Sequence, residues 1–205
     1  MSSQRVEAKV LARAFHDDPM FTFIEPSADR RRRVLPWFFS AALRLGDQQG
    51  RVDSDAGRAA VIWLPPGQTS LGPTAMLRSG LALAPMRLGP AAFVRFARLT
   101  SAFEKSAATV HGTTFWHLFI LGVDPAVQGQ GLGARLVAPV LAEADAAGHL
   151  CYLETLSERN LAFYQRLGFT VAGHVTQHDL PEFWMMTRDP RRSDDHSQRP
   201  PEATE

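Results

Sequence analysis

The sequence has little of several features that define whole classes of protein. Its 205 residues include one cysteine, Cys151, so an internal disulfide and any multi-cysteine metal site are excluded. No apolar run reaches about 18 residues and no charged-then-apolar leader opens the chain, which predicts a soluble cytoplasmic protein. Lys and Arg number 22 against 21 Asp and Glu, so nothing at the level of the whole chain indicates nucleic acid or a membrane as a partner.

The hydrophobic content predicts one globular domain. At 45% hydrophobic residues, a chain of this length can bury a core without staples. We predict that domain over residues 1–188, with an apolar helical segment at residues 73–110 inside it. From Asp189 onward the chain is polar, contains proline and lacks periodicity, which predicts a disordered tail over residues 189–205.

Hydrophobic periodicity predicts helices interleaved with strands. A first helix, carrying Val6 and Phe15, ends before Pro19, because the residue before a proline avoids the α region. A second runs from Ala28 to Leu45, with Ser27 as its N-cap and Gly46 as its stop. Further helices are predicted as two within Pro73–Thr109, one from Leu132 to Gly148 and one over Asn160–Arg166. Strands are predicted over Ala59–Leu64, Phe115–Val123, Leu150–Thr155, Phe169–Val175 and Glu182–Arg188.

The one basic cluster is the run Arg30–Arg33. It lies in the second predicted helix, ahead of a set of apolar residues at helical spacing. A solvated helix face explains such a run, and an anion site is the alternative. We prefer the solvated face.

The most informative stretch packs three glycines, Gly129, Gly131 and Gly133, into five residues between a predicted strand and a predicted helix. Glycines allow backbone N–H groups to approach a ligand closely. The start of a helix adds unpaired N–H donors and the positive end of its dipole. This combination suits a pyrophosphate, and a plain glycine-rich turn is the alternative.

Two other phosphate-binding folds compete for this loop. The loop of P-loop NTPases is excluded because no GK[ST] ending is present. The dinucleotide fingerprint is matched by Gly129, Gly131 and Ala134, with Glu154 about 20 residues further on. Against it, five residues separate Val123 from Gly129, and only about 50 residues follow Glu154, which is too few for further βαβ units.

A second motif follows the predicted strand Leu150–Thr155 and carries a family resemblance. The segment Asn160–Phe169 resembles the N-x-x-F-Y-x-x-x-G-F signature of the GNAT N-acetyltransferase superfamily. The segment Val123–Ala134 resembles the Q-x-x-G-x-G acyl-CoA signature of the same superfamily. The wording of both is most similar to the puromycin N-acetyltransferase-type branch. Strong similarity covers about Trp116 to Arg188.

The resemblance implies acetyl-CoA as co-substrate and assigns residues to it. The backbone of Leu121 and Val123 is expected to pair with the pantetheine arm like an added strand. Asn160 is expected to contact the cofactor from the other side. The pyrophosphate is expected to bind Gln128, Gly129, Gln130, Gly131, Leu132, Gly133 and Ala134.

The expected reaction needs a base for the amine and an acid for the leaving thiolate. Tyr164 matches the family tyrosine that serves as this acid, and a tyrosine packed for structural reasons is the alternative. His117 lies where several members of the superfamily carry a Glu or His base, and imidazole titrates near neutral pH. Glu154 is the other candidate base. The remaining histidines, His111 among them, share no ligand spacing, so we predict no metal site.

The implied fold is the α/β (α+β) GNAT fold, a mixed, mostly antiparallel central sheet flanked by helices. Only about three residues precede the first helical pattern, so the strand that usually opens the family's fold is expected to be missing or out of register. We expect transfer of acetyl to a primary amine of a small molecule, in a monomer or homodimer, with residues 73–110 on the acceptor side. Phe93, Phe96, Phe103 and Met86 line that site or pack as ordinary helix residues. A non-catalytic acyl-CoA sensor and a peptide or protein N-acetyltransferase are the alternatives.

Overall fold

The computed structural model describes residues 2–55, 57–68, 72–110 and 114–191. His111 and most of the predicted tail, residues 192–205, lie outside these ranges. Eight helices occur in the described part: α1 Ser2–Ala14, α2 Pro19–Ile24, α3 Ala28–Gln49, α4 Pro73–Ser79, α5 Ala84–Leu88, α6 Pro90–Ala107, α7 Leu132–Ala147 and α8 Leu161–Arg166. Six strands accompany them: β1 Arg51–Asp55, β2 Ala59–Leu64, β3 Phe115–Val123, β4 Leu150–Thr155, β5 Thr170–Gln177 and β6 Leu180–Arg188.

The strands form one sheet in the order β1-β2-β3-β4-β6-β5. Only β3 and β4 are parallel neighbours; every other pair is antiparallel. The prediction of a mixed, mostly antiparallel sheet flanked by helices is confirmed. In the described part no strand precedes α1, so the sheet begins at β1, which follows α3.

Two hydrophobic clusters cover the two faces of the sheet. One contains residues of α1, α3 and α6 and lies on the face that carries Ile62 and Ala60. The other contains residues of α7 and α8 and lies on the face of Val61 and Trp63. Helices on both faces explain why β2 is buried at all six positions and reads as a continuous apolar run.

The contact between α1 and β3 requires a glycine. A Cβ placed on Gly122 would come within 2.6 Å of Leu11, 3.0 Å of Phe15 and 3.2 Å of Ala14. The bare backbone therefore allows α1 to lie directly against the outer half of β3. This close approach fixes the end of α1, and with it the loop that leads into α2, beside that strand.

Several predicted boundaries are wrong in an instructive way. Ser27 caps α3 as predicted, accepting from Arg30 N, but Gly46 does not stop the helix, which continues to Gln49. Gly46 is buried, and a Cβ there would lie 2.6 Å from Ile62, so this glycine serves helix–sheet packing. The strands over Ala59–Leu64, Phe115–Val123 and Leu150–Thr155 match prediction at both ends.

The arginine run is only partly a solvated face. Arg31 is 5% exposed and donates from Nη1 to the carbonyls of Glu25 and Pro26, at 2.9 and 2.8 Å, and from Nε to that of His16, at 2.7 Å. It thereby satisfies the backbone around α2. The expectation fails at Arg31 because the chain between α1 and α3 folds over the helix face that carries it.

The segment from residue 73 to 109 also differs from the two predicted helices. It forms α4, a 3₁₀ turn, α5 and α6, and the break at Gly89 is the predicted one. Gly80 ends α4 with φ of 89°, in the left-handed region that favours glycine. Among the described residues, no helix is both long and apolar enough to cross a membrane.

An ion pair ties the end of β6 to α7. Arg188 donates from Nη1 and Nη2 to the two carboxylate oxygens of Asp145, each at 2.7 Å. The side chain of Arg188 is 3% exposed and that of Asp145 is 23% exposed. Hydrogen bonding to the guanidinium holds the pKa of Asp145 below its ordinary value.

Asp145→Asn should therefore destabilise the fold at neutral pH. We expect the free energy of unfolding to fall by about 2 kcal/mol at pH 7, since a bidentate charged hydrogen bond is lost. A carboxylate of depressed pKa stabilises above its unfolded pKa of about 3.9, and that stabilisation is lost as the pH falls through the lower folded value. The gap between wild type and variant should accordingly shrink below about pH 4.

Chemical denaturation at pH 7 and pH 3 measures this. The control is Asp29→Asn, which removes an ion pair with Arg32 whose side chains are 69% and 61% exposed and should change little. Equal stability of Asp145→Asn and wild type at pH 7 would contradict the assignment.

Candidate active site

The site begins where β3 and β4 separate. The two strands pair only at Phe115, Trp116 and His117, although β3 continues to Val123. Opposite β2, the register jumps from Ile120 to Leu118, which leaves Phe119 as an extra residue in a β-bulge. A bulge bends the strand that carries it. The outer half of β3 consequently lacks β4 as a neighbour, and an opening forms between the two strands.

The glycine loop, residues 128–133, lies at the open end of β3. Asp124 shapes its approach by accepting from Ala126 N at 3.1 Å and from Arg13 Nε at 2.8 Å. Gln128 folds back and donates from Nε2 to the carbonyl of Val123 at 3.2 Å. Gly129 and Gly131 follow with φ of 81° and 75°, which allows the chain to turn sharply into α7.

The start of α7 fits a diphosphate. Gly131 is the N-cap of α7 and supplies no side-chain cap, so the first N–H groups of the helix have no such partner. A Cβ on Gly129 or on Gly131 would meet nothing within 4 Å, so the space above the loop is open. Free amides, a helix dipole and open space are the features that bind phosphate groups at helix starts.

Gly133 has a different task in the same loop. A Cβ there would lie 3.2 Å from the Phe163 ring, so the glycine allows α8 to pack against the first turn of α7. Leu132 is buried and Ala134 half-buried, whereas Gln128, Gly129, Gln130 and Gly131 are exposed. Within the predicted phosphate loop, residues 128–131 are thus exposed to a ligand, and residues 132–134 pack against the rest of the protein.

Asn160 and the β3 residues flank the opening from two sides. Asn160 donates from Nδ2 to Thr155 Oγ1 at 3.2 Å, which ties the start of α8 to the end of β4. Leu121 and Val123 are half-buried on the unpaired half of β3. The roles predicted for these three residues toward a cofactor stay predictions.

His117 and Glu154, the two candidate bases, form one hydrogen-bonded pair. His117 Nε2 lies 2.8 Å from Glu154 Oε2, and the side chains are 14% and 7% exposed. His117 is the last residue of β3 that pairs with β4, so it lies directly at the opening. Its ring packs among Phe115, Phe119 and Tyr152, with centroids 5.4 to 6.4 Å away. The pair is therefore held on the sheet face that α1, α3 and α6 cover.

Tyr152 is the third polar group on that wall. It lies opposite His117 in the register, and within the described part of the chain its buried hydroxyl has no hydrogen-bond partner. Burial raises the pKa of Tyr152, and the nearby carboxylate of Glu154 raises it further. A neutral phenol therefore lies beside the His117–Glu154 pair.

Tyr164 lies on the other face of the sheet, with α7 and the glycine loop. Its ring contacts Phe163 and Phe169 at centroid distances of 5.0 and 5.9 Å, and 8% of the residue is exposed. No hydrogen bond to its hydroxyl occurs among the described residues. Burial raises the pKa of Tyr164, and the charge of Asp18 adds to the shift.

Asp18 is a site residue that the sequence did not reveal. It lies between α1 and α2, on the face opposite α8, yet its charge acts on Tyr164. Burial raises the pKa of Asp18, and the positive charge of Arg159 is among the effects that oppose the shift. In the sequence, Asp18-Pro19 marked the end of a helix and part of a looser N-terminal resemblance to the family, and no role was assigned to Asp18.

Two other expectations about side chains have definite outcomes. Met86 is 82% exposed and cannot line an enclosed site. Phe96 packs on Phe38 of α3 at 5.8 Å and Phe103 on Phe183 of β6 at 4.9 Å, so both rings make packing contacts between elements of the core. In the described ranges, no three His, Cys, Asp or Glu side chains are grouped so that they could hold a metal ion.

Comparison with known proteins agrees with this geometry. The family model "Acetyltransferase (GNAT) domain" matches residues 91–171, a range that holds β3, the glycine loop, α7, β4 and α8. The structure titled histone acetyltransferase HPA2 and related acetyltransferase, from Corynebacterium glutamicum, superposes with a TM-score of 0.59 at 22% identity, covering 95% of this chain and 94% of its own. Polyamine N-acetyltransferase from Drosophila melanogaster gives 0.55 at 19% identity, over 91% and 93%.

A curated relative is similar over a shorter stretch. Mycothiol acetyltransferase from Mycobacterium sp. (strain JLS) is 36% identical over 70 residues, which are 31% of this chain. The match spans about a quarter of that relative's length, 23%. Residues 91–171 thus match the model of a GNAT acetyltransferase domain, and the chain has the fold of the two acetyltransferase structures named above. These matches do not confirm the puromycin-type branch.

Gly131→Ala tests the phosphate-binding loop. A Cβ at this position enters the open space above the loop and forces an L residue to positive φ, which costs about 1–2 kcal/mol. We expect the affinity for coenzyme A to fall roughly tenfold or more by calorimetry. Gly67→Ala is the matched control, because Gly67 has φ of 82° and also no atom within 4 Å. Equal loss of affinity in both variants, or in neither, would contradict the assignment.

Proposed function

We propose that this protein is an acetyl-CoA-dependent N-acetyltransferase that acts on a primary amine of a small molecule. The observation that carries the proposal is the hydrogen-bonded pair His117–Glu154 at the mouth of an opening that leads to an uncapped glycine loop. The His117–Glu154 pair and the glycine loop lie on opposite sides of the opening between β3 and β4. An amine and acetyl-CoA can therefore meet there from two sides, as a two-substrate reaction requires. The proposed domain is residues 1–188.

The fit to acetyl-CoA rests on the free backbone around the gap. Exposed amides at Gln128–Gly131 and at the first turn of α7 would hold the diphosphate. The half of β3 that has no β4 residues beside it would hold the pantetheine arm in the manner of an added strand. When bound, acetyl-CoA supplies an activated acyl thioester. The base for the amine and the acid for the leaving thiolate must come from side chains at the opening.

His117 is the proposed base. An alkyl amine has a pKa of about 10.4, so at neutral pH it arrives as an ammonium and must lose a proton before it attacks. Neutral imidazole can take that proton, directly or through water. His117 Nε2 is hydrogen-bonded to Glu154 Oε2. Glu154 therefore orients the ring of His117 and stabilises the imidazolium that forms.

Tyr164 is the proposed acid. Its raised pKa keeps the phenol protonated at neutral pH, which is the form a donor needs. The hydroxyl has no partner among the described residues, so it is available to a leaving thiolate. The charge of Asp18 contributes to that raised pKa, and a carboxylate that acts on the phenol would also bind the incoming ammonium.

A small amine acceptor fits the enclosed surroundings of His117. The side chains of the pair are 14% and 7% exposed, which leaves little room for a polypeptide. Agmatine and polyamine N-acetyltransferases are among the proteins of similar fold, and both names denote small amines. We keep the puromycin-type branch as a hypothesis on the wording of the two motifs.

His117→Ala should lower kcat by about 10²- to 10⁴-fold, the usual contribution of a general base. The affinity for coenzyme A should stay unchanged, because His117 is not part of the glycine loop. Release of free thiol from acetyl-CoA, measured over a panel of amines, reports the rate. Glu154→Gln should lower kcat less, since it keeps a hydrogen bond to the ring.

The contrary results are specific. If Asp18→Asn abolishes turnover while His117→Ala does not, the base is Asp18. If wild-type protein binds acetyl-CoA but releases no thiol with any amine, the protein is a sensor of acyl-CoA and not an enzyme.

Tyr164→Phe should lower kcat roughly 10²-fold while the dissociation constant of coenzyme A changes little, because the ring packing is preserved and only the proton donor is lost. Tyr152→Phe is the control. It removes the other buried phenol, on the opposite face, and should leave the rate within a few-fold of wild type. The reverse ranking of the two variants would refute the assignment of the acid.

A further inference from the structure

A basic pocket lies between α3 and α5, away from the proposed active site. It has a volume of about 420 Å³ and opens to solvent. Its polar and aromatic lining consists of Glu25, Arg30, Arg33, Trp37 and Arg87, and we call it the Trp37 pocket. None of its lining residues belongs to β3, the glycine loop, α7 or α8. The proposed acetyl transfer therefore assigns it no task.

The charges in the Trp37 pocket do not balance. Arg30 pairs with Glu25 at 2.8 Å and donates to the carbonyl of Leu88 at 2.7 Å, so one positive and one negative charge cancel in its wall. Arg33 and Arg87 have no carboxylate partner among the described residues. Two guanidinium groups thus face the same open space without compensation, which favours an anionic occupant.

Contacts within the protein restrict the side chains of both Arg33 and Arg87. The Cζ atom of Arg87 lies 5.9 Å from the centre of the Trp37 ring, in a cation–π contact. Arg33 donates from Nε to the carbonyl of Asp29 at 3.2 Å. These contacts leave terminal N–H groups free while they restrict the side chains. A restricted guanidinium loses less entropy when a ligand binds.

We propose that the Trp37 pocket binds a small molecule that carries a phosphate group or two carboxylates. Guanidinium groups bind both anions through paired N–H donors, and two such groups match two negative charges. The volume lies within the range of small-molecule sites. The face of Trp37 offers a surface for an apolar or planar part of the same ligand. The proposal is independent of acetyl transfer, because the two sites share no residue.

Inorganic phosphate and succinate are the probes that test it. Each is titrated into the full chain by calorimetry at constant ionic strength, with chloride as the balancing anion. We expect saturable binding that weakens roughly tenfold or more in the double variant Arg33→Gln/Arg87→Gln. Arg32→Gln is the matched control, because Arg32 is a neighbour on the same helix but pairs with Asp29 and lines a different pocket.

The outcomes are separable from those of the acetyltransferase proposal. Binding that is lost in the double variant and kept in Arg32→Gln supports the site, whether or not the protein acetylates any amine. Absence of saturable binding to wild type, or equal binding by the double variant, overturns it. Neither result depends on coenzyme A.

Discussion

The proposed active site depends on the separation of β3 from β4, which the geometry of the sheet itself produces. β3 pairs with β2 from His117 to Val123 but with β4 at three residues only. The bulge at Phe119 comes directly after the last shared pair, and α1 presses on Gly122 just beyond it. A bulged strand that is held from one side bends away from its other neighbour. The opening is therefore built into the backbone and needs no ligand to form.

This separation explains why residues from opposite faces of the sheet can serve one reaction. α7 and α8 bring the glycine loop and Tyr164 to one side, and the segment between α1 and α2 brings Asp18 to the other. In a continuous sheet these groups would be screened by two layers of side chains. Here the charge of Asp18 contributes to the raised pKa of Tyr164, and His117 lies at the point where the strands part. The gap unites three groups that are distant in sequence.

The sequence was sufficient where one local rule decided the structure. The central strands are apolar at nearly every position, and their ends matched prediction to the residue. The glycine loop could be placed because positive φ and an uncapped helix start follow from glycine itself. His117 was a candidate base from its position in the family resemblance and from the pKa of imidazole, and Glu154 was the other candidate.

The sequence was insufficient where tertiary packing decided. Gly46 looks like a helix stop, but its missing side chain accommodates Ile62. Arg31 looks like part of a solvated run, but it satisfies three carbonyls around α2. The hydrogen bond between His117 and Glu154 depends on the register of β3 against β4, and the effect of the Asp18 charge on Tyr164 depends on how the helices pack on the sheet. No pattern within one segment contains that information.

Backbone hydrogen–deuterium exchange with and without coenzyme A tests the central claim most directly, because it reports on the amides that the opening leaves unpaired. The account predicts that coenzyme A slows exchange in residues 118–123 and 128–134 while β1 and β5 stay unchanged. Unchanged exchange in both of those segments, with protection elsewhere in the chain, would contradict it.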